Sequence, residues 1–99
     1  MNELILNQLS ELARDIPEIQ TIMLFGSRAH GDYNDLSDID LAVKATRLSE
    51  MDRLLFAEQV ENELDTLLKI DLVFYDYASD ALRQQIDQCH KIVYQISDK

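Results

Sequence analysis

The chain has 99 residues, nine of them Lys or Arg and 19 Asp or Glu, for a formal charge of −10. A chain of this length builds one hydrophobic core, so residues 1–99 are expected to form a single domain, and a 46% hydrophobic content excludes wholesale disorder. The charge argues against a passive duplex binder, which needs Lys and Arg on phosphates, and against an anionic membrane surface. It suits divalent cations or a basic protein partner.

Cys89 is the single cysteine, which rules out an intrachain disulfide. The N-terminal MNELILNQLSELARD lacks the basic start and apolar core of a signal peptide. No run approaches the ~18 apolar residues of a membrane span. A soluble, cytoplasmic protein is the expectation.

Leu4, Ile5, Leu9, Leu12, Ala13 and Ile16 predict a helix over 2–14, closed by Pro17. The apolar run 21–25 predicts a buried strand. Gly26-Ser27-Arg28-Ala29-His30-Gly31 turns the chain, with Ser27 suited to an N-cap and Gly31 to the end of a helical turn. A polar loop, 32–37, holds Asp32, Tyr33 and Asp35 as turn or solvated residues. A second strand follows over 38–43. Residues 49–68 predict the longest helix, capped by Ser49, with Met51, Leu54, Leu55, Val60, Leu64, Leu67 and Leu68 as its core stripe. A third strand covers 69–75. A helix from Ser79 to about Gln88 turns Leu82, Ile86 and Cys89 inward. Residues 92–96 form either an edge strand, the favoured reading, or the tail of that helix. The order predicts an α/β (α+β) fold, with a small mixed sheet of three to four strands and helices mainly on one face.

Asp38 and Asp40 lie two apart on a strand and so share a face. Asp71 stands opposite in phase to Ile70, Leu72 and Phe74. If the second and third strands are neighbours with apolar faces on the helices, the three carboxylates converge. Like charges near 4 Å repel by about 4 kcal/mol at an effective dielectric of 20. Such a set calls for raised pKa values or cations, and oxygen ligands suit Mg²⁺ or Mn²⁺. Two ions ~3.5–4 Å apart serve in-line phosphoryl or nucleotidyl transfer. Phe25-Gly26-Ser27 places a strand end, a glycine and a helix start together, offering backbone N–H groups and a hydroxyl to an anion. Arg28 is either a phosphate ligand or the ion-pair partner of a loop Asp, in both cases through an exposed guanidinium. Asp76 rivals Asp71, but five positions apart they face opposite sides of a regular strand. His30 is read as an exposed loop histidine. Cys89 and His90 read as helix-end residues, since no second pair completes a zinc site. Tyr33, Tyr75, Tyr77 and Tyr94 include self-modification candidates, with packing as the default.

Gly26-Ser27, ten intervening residues, Asp38-x-Asp40 and a later Asp resemble the nucleotidyltransferase superfamily related to DNA polymerase beta. The string GSRAHGDYNDLSDIDLAV is similar to the smallest, MNT-type members. The resemblance implies that Gly26, Ser27 and Arg28 bind the triphosphate, that Asp38, Asp40 and Asp71 hold two Mg²⁺, and that Asp71 helps deprotonate the acceptor. It implies ATP as substrate, AMP transfer and pyrophosphate release. Many relatives carry Arg where His30 stands, so a cationic role there is in doubt. Larger relatives add a helical recognition domain that this sequence lacks. The acceptor is therefore expected on a partner, and the resemblance points to a HEPN-domain toxin whose tyrosine is adenylylated, with this chain as antitoxin. The alternatives are neutralisation by binding and occlusion, and nucleotidyl transfer to a small molecule.

Overall fold

A computed structural model describes residues 3–31 and 37–96. The readings of Asp32, Tyr33 and Asp35 lie outside the described residues. In chain order the elements are α1 (Glu3–Arg14), β1 (Ile19–Phe25), α2 (Ser27–His30), β2 (Ile39–Ala45), α3 (Glu50–Glu63), β3 (Ile70–Phe74), a 3-10 turn (Tyr75–Tyr77), α4 (Asp80–Gln88) and β4 (His90–Gln95). The strands form one mixed sheet in the order β3-β2-β1-β4. β2 and β3 run parallel, joined across α3, while β1 is antiparallel to both β2 and β4. The expected order holds throughout, and the final segment is the edge strand rather than a helix tail.

Helices cover the sheet unequally. Ile5, Leu9 and Ala13, one turn apart on α1, and Phe56 and Val60 on α3 pack on Ile22, Leu24, Ile39, Leu41 and Val43. The opposite face carries a smaller cluster, in which Ile86 of α4 meets Met23, Phe25 and Ala42. Alternate residues of each strand feed the two layers, as the two-residue period requires.

Three sequence expectations change. The long helix stops at Glu63, not 68: Gln8 of α1 accepts from Asp65 N–H at 2.9 Å, and Thr66 Oγ1 accepts from Leu68 N–H at 3.1 Å. Those bonds satisfy the chain in a turn rather than a further helical round. The inward stripe of α3 is Phe56, Val60 and then Leu64, whereas Met51, Leu54 and Leu55 are 64%, 61% and 51% exposed. Apolar residues lie on both sides of this helix, and the four-residue spacing that begins at Phe56 wins the core. Finally, Ser27 is the first helical residue and Gly26 the N-cap, so the Ser27 side chain makes no cap bond. Ser49 and Ser79 do cap α3 and α4, accepting from Asp52 N–H and Leu82 N–H.

Candidate active site at the end of the central strands

One rung crosses all four strands where β1 ends and β2 begins. His90 of β4 pairs with Phe25 of β1, Phe25 with Asp40 of β2, and Asp40 with Asp71 of β3. Partners in register point to the same side, so Asp40 and Asp71 are lateral neighbours on the face that α4 covers. The convergence of the strand carboxylates thus follows from the parallel pairing of β2 with β3. Asp38 sits just before β2, exposed, and its charge still reaches Asp40. Burial first, then the charges of Asp71 and Asp38, push the Asp40 carboxyl above its usual range, while Lys69 pulls it down. Lys69 Nζ lies 3.6 Å from Asp71 Oδ1. Sequence reasoning missed Lys69, although the same parity rule places it on the face of Asp71, two residues on.

Gly26 closes β1 against this rung. Its φ of 74° is a left-handed value, and a Cβ there would collide with the Asp40 carboxylate. Both facts require glycine. The turn Ser27–His30 follows at once, and Gly31, at φ 88°, ends it by donating to the Ser27 carbonyl at 2.9 Å. Ser27 therefore presents its N–H and an uncommitted-by-capping hydroxyl at the start of the turn, beside Asp40. Gly26, Ser27 and His30 line one cavity of about 390 Å³. His30 is exposed, as expected, at the end of the short helical turn.

Arg28 departs from expectation. Its side chain is not exposed: the residue is 8% accessible, and Nε and Nη2 both donate to the Ser37 carbonyl, at 3.3 and 3.0 Å. The guanidinium ties the turn after β1 to the residue preceding Asp38. A backbone carbonyl leaves no mark in sequence, so this acceptor was not legible there.

Asp76 lies beyond β3 in the 3-10 turn and lines a cavity of about 330 Å³ with Arg47 and Arg53, at the other end of the strands. Cys89 ends α4, and His90 Nδ1 lies 2.7 Å from the Ile86 carbonyl, as helix-end residues do. Tyr75 donates to Asp87 at 2.8 Å, Tyr94 is buried, and the Arg53 guanidinium stacks over Tyr77 at 3.9 Å.

An oxygen-only donor set with a raised carboxyl pKa fits a hard divalent cation, whose charge would offset the repulsion within the set. Among the described residues no group of three or more His, Cys, Asp or Glu is placed to hold a metal ion. No helix of the described residues is long and apolar enough to cross a membrane.

Comparisons with known proteins agree with this geometry. The chain is 40% identical over 88 residues to the protein adenylyltransferase MntA of Shewanella oneidensis, an alignment covering 87% of this chain and 62% of the relative. It thus spans less than two thirds of that curated relative. A crystal structure of a toxin–antitoxin with AMP-PNP superposes with a TM-score of 0.73 at 36% identity, over 92% of this chain and 73% of the other. A structure of tri-AMPylated Shewanella oneidensis HEPN toxin in complex with MNT antitoxin gives 0.72 at 35%, over 97% and 74%. The family model for polymerase beta nucleotidyltransferases matches residues 7–99, and the chain belongs to that family.

Proposed function

We propose that this chain is a Mg²⁺-dependent adenylyltransferase and antitoxin, moving AMP from ATP onto a tyrosine hydroxyl of a HEPN-domain toxin. We further propose that it works as a single domain in the cytoplasm. The observation that carries the reading is the side-by-side register of Asp40 and Asp71 against the Gly26 backbone. The relative named a protein adenylyltransferase and the complex with an AMPylated HEPN toxin support the donor group and the partner.

In this reading Ser27 N–H and its hydroxyl hold the triphosphate, and Gly26 lets it approach the carboxylates. Asp38, Asp40 and Asp71 would hold the cations. Mg²⁺, when bound, neutralises the phosphates and polarises the reacting oxygens. The acceptor oxygen attacks the α-phosphorus, an O–P bond forms, and the bond to the departing pyrophosphate breaks. The hydroxyl proton passes to Asp71. Arg28 acts as a positioning residue: its two bonds to the Ser37 carbonyl hold the phosphate turn at a set distance from Asp38 and Asp40. The −10 charge is complementary to an RNA-cleaving partner whose site must be basic.

The test is intact-mass spectrometry of a cognate HEPN protein incubated with the chain, ATP and Mg²⁺. A gain of one or more AMP units, absent with Asp38→Asn plus Asp40→Asn, is expected. An unchanged mass with a stable complex in both cases would overturn catalysis in favour of occlusion.

A further inference from the structure

A cavity of about 330 Å³ opens at the far end of the sheet, where the parallel strands β2 and β3 finish side by side. Five residues of β2 separate Ala45, on its wall, from Asp40, about 16 Å of strand. The carboxyl ends of parallel strands are where α/β sheets commonly take ligands, and the volume suits a small one. Val43, Leu48 and Phe74 give the cavity an apolar wall, while Arg47 and Arg53 bring two guanidiniums. One carboxylate, Asp76, accompanies them, so the lining carries a net charge of +1 in a chain of −10. Arg53 is held in place: Nη1 donates to the Leu48 carbonyl at 3.0 Å, and the guanidinium lies 3.9 Å from the centre of the Tyr77 ring. Its Nε and Nη2, an edge that can grip two carboxylate oxygens at once, meet no acceptor among the described residues. Asp76 forms no ion pair with either arginine among those residues. Arg47 is the one non-glycine among them with a positive φ, 56°. An L side chain there costs energy, and such strain clusters at ligand sites.

We infer that this cavity is a binding site for a small organic carboxylate with an apolar body. Arg53 takes the carboxylate through its open edge, Arg47 adds the second positive charge, and the apolar wall takes the body. One monoanion neutralises the lining, whereas a phosphate dianion overshoots it and stands against Asp76. A bare ion leaves Val43, Leu48 and Phe74 uncovered. The site is separate from the transfer reaction proposed above and does not depend on it.

Titration of the full chain with butyrate, followed by NMR of backbone amides and arginine Nε–H groups, is the test, with butanol, butylammonium and inorganic phosphate as controls. Butyrate is expected to shift Thr46, Arg47, Arg53 and Tyr77 together and to saturate with a Kd of about 1 mM, within the ceiling for so small a ligand. Butanol and butylammonium are expected to shift none of the four, and phosphate to bind there about tenfold more weakly or worse. Glycine suits a left-handed backbone, so Arg47→Gly is expected to fold and to lose about tenfold in butyrate affinity. Arg53→Lys keeps the charge without the fork and should lose as much. Absence of saturable butyrate shifts at these residues overturns the inference. So does butanol binding as well as butyrate, which leaves only an apolar hollow, or phosphate binding as tightly, which leaves only an anion site. Unchanged butyrate affinity in both variants overturns it too.

Discussion

On the side of the sheet under α1 and α3, Leu9, Ile22, Leu41, Phe56 and Val60 have no accessible surface. On the side under α4, the apolar cluster is short, and the same strands that feed it also carry Asp40 and Asp71. The contrast teaches how so small a chain holds a charged site. One face is a continuous apolar layer that supplies most of the stability. The other is released from that duty and tolerates two like charges in adjacent strands, both of them half-buried. Each can therefore be altered with little effect on the other's role.

Substitutions at four positions probe that division, from the largest effect on stability to the smallest. Phe56→Ala, on the packed face, should cost about 3–5 kcal/mol and leave the chain close to unfolded, as urea titration would show. An unchanged midpoint would mean the layer is not what holds the fold. Arg28→Ala should cost about 1–3 kcal/mol, because it strips two donors from the Ser37 carbonyl, and should also slow AMP transfer at saturating ATP. Arg28→Lys should recover stability more than turnover; equal recovery of the two would reduce Arg28 to a purely structural part.

Asp40→Asn should behave in the opposite sense to a core change. Transfer should fall by more than the about 10–100-fold typical of groups one step removed from a metal. Stability should rise, with Tm up by about a few degrees at neutral pH. The pH dependence checks the cause. A carboxyl pKa raised on folding means the folded state keeps its proton longer. Stability from this group is therefore full below the unfolded value of 3.8 and declines as pH rises from there through the raised folded value. Asp40→Asn should remove that decline. Mg²⁺ should raise the melting temperature of wild type and not of the variant. Leu54→Ser should be the mildest, within about 0.5 kcal/mol, because that leucine faces outward despite its chemistry. A loss of several kcal/mol would show that the outer row of α3 is buried in solution.

Much of this was legible in the order of residues. Alternation located the strands, and the parity of Asp40 and Asp71 put both on one face before any pairing was known; Asp38, expected on the same strand, lies just before β2. What parity alone left conditional was adjacency: only the parallel register of β2 with β3 brings Asp40 beside Asp71. The α3 stripe was misread because Met51, Leu54 and Leu55 share helical spacing with one another as well as Phe56 with Val60, and two apolar rows compete for one core. The Arg28 contact escaped because its acceptor is a main-chain carbonyl.

The position of β3 carries one more consequence. It is an edge strand of five residues, hydrogen-bonded in the sheet to β2 alone, yet it delivers Asp71. Edge elements open at lower free energy than the whole molecule. Peeling of β3 would withdraw Asp71 and Lys69 together with Ile70, which belongs to the main core. The AMP transfer proposed above should therefore follow a local opening equilibrium. It should disappear at a denaturant concentration below the global midpoint, with β3 amides exchanging their hydrogens well before those of β1.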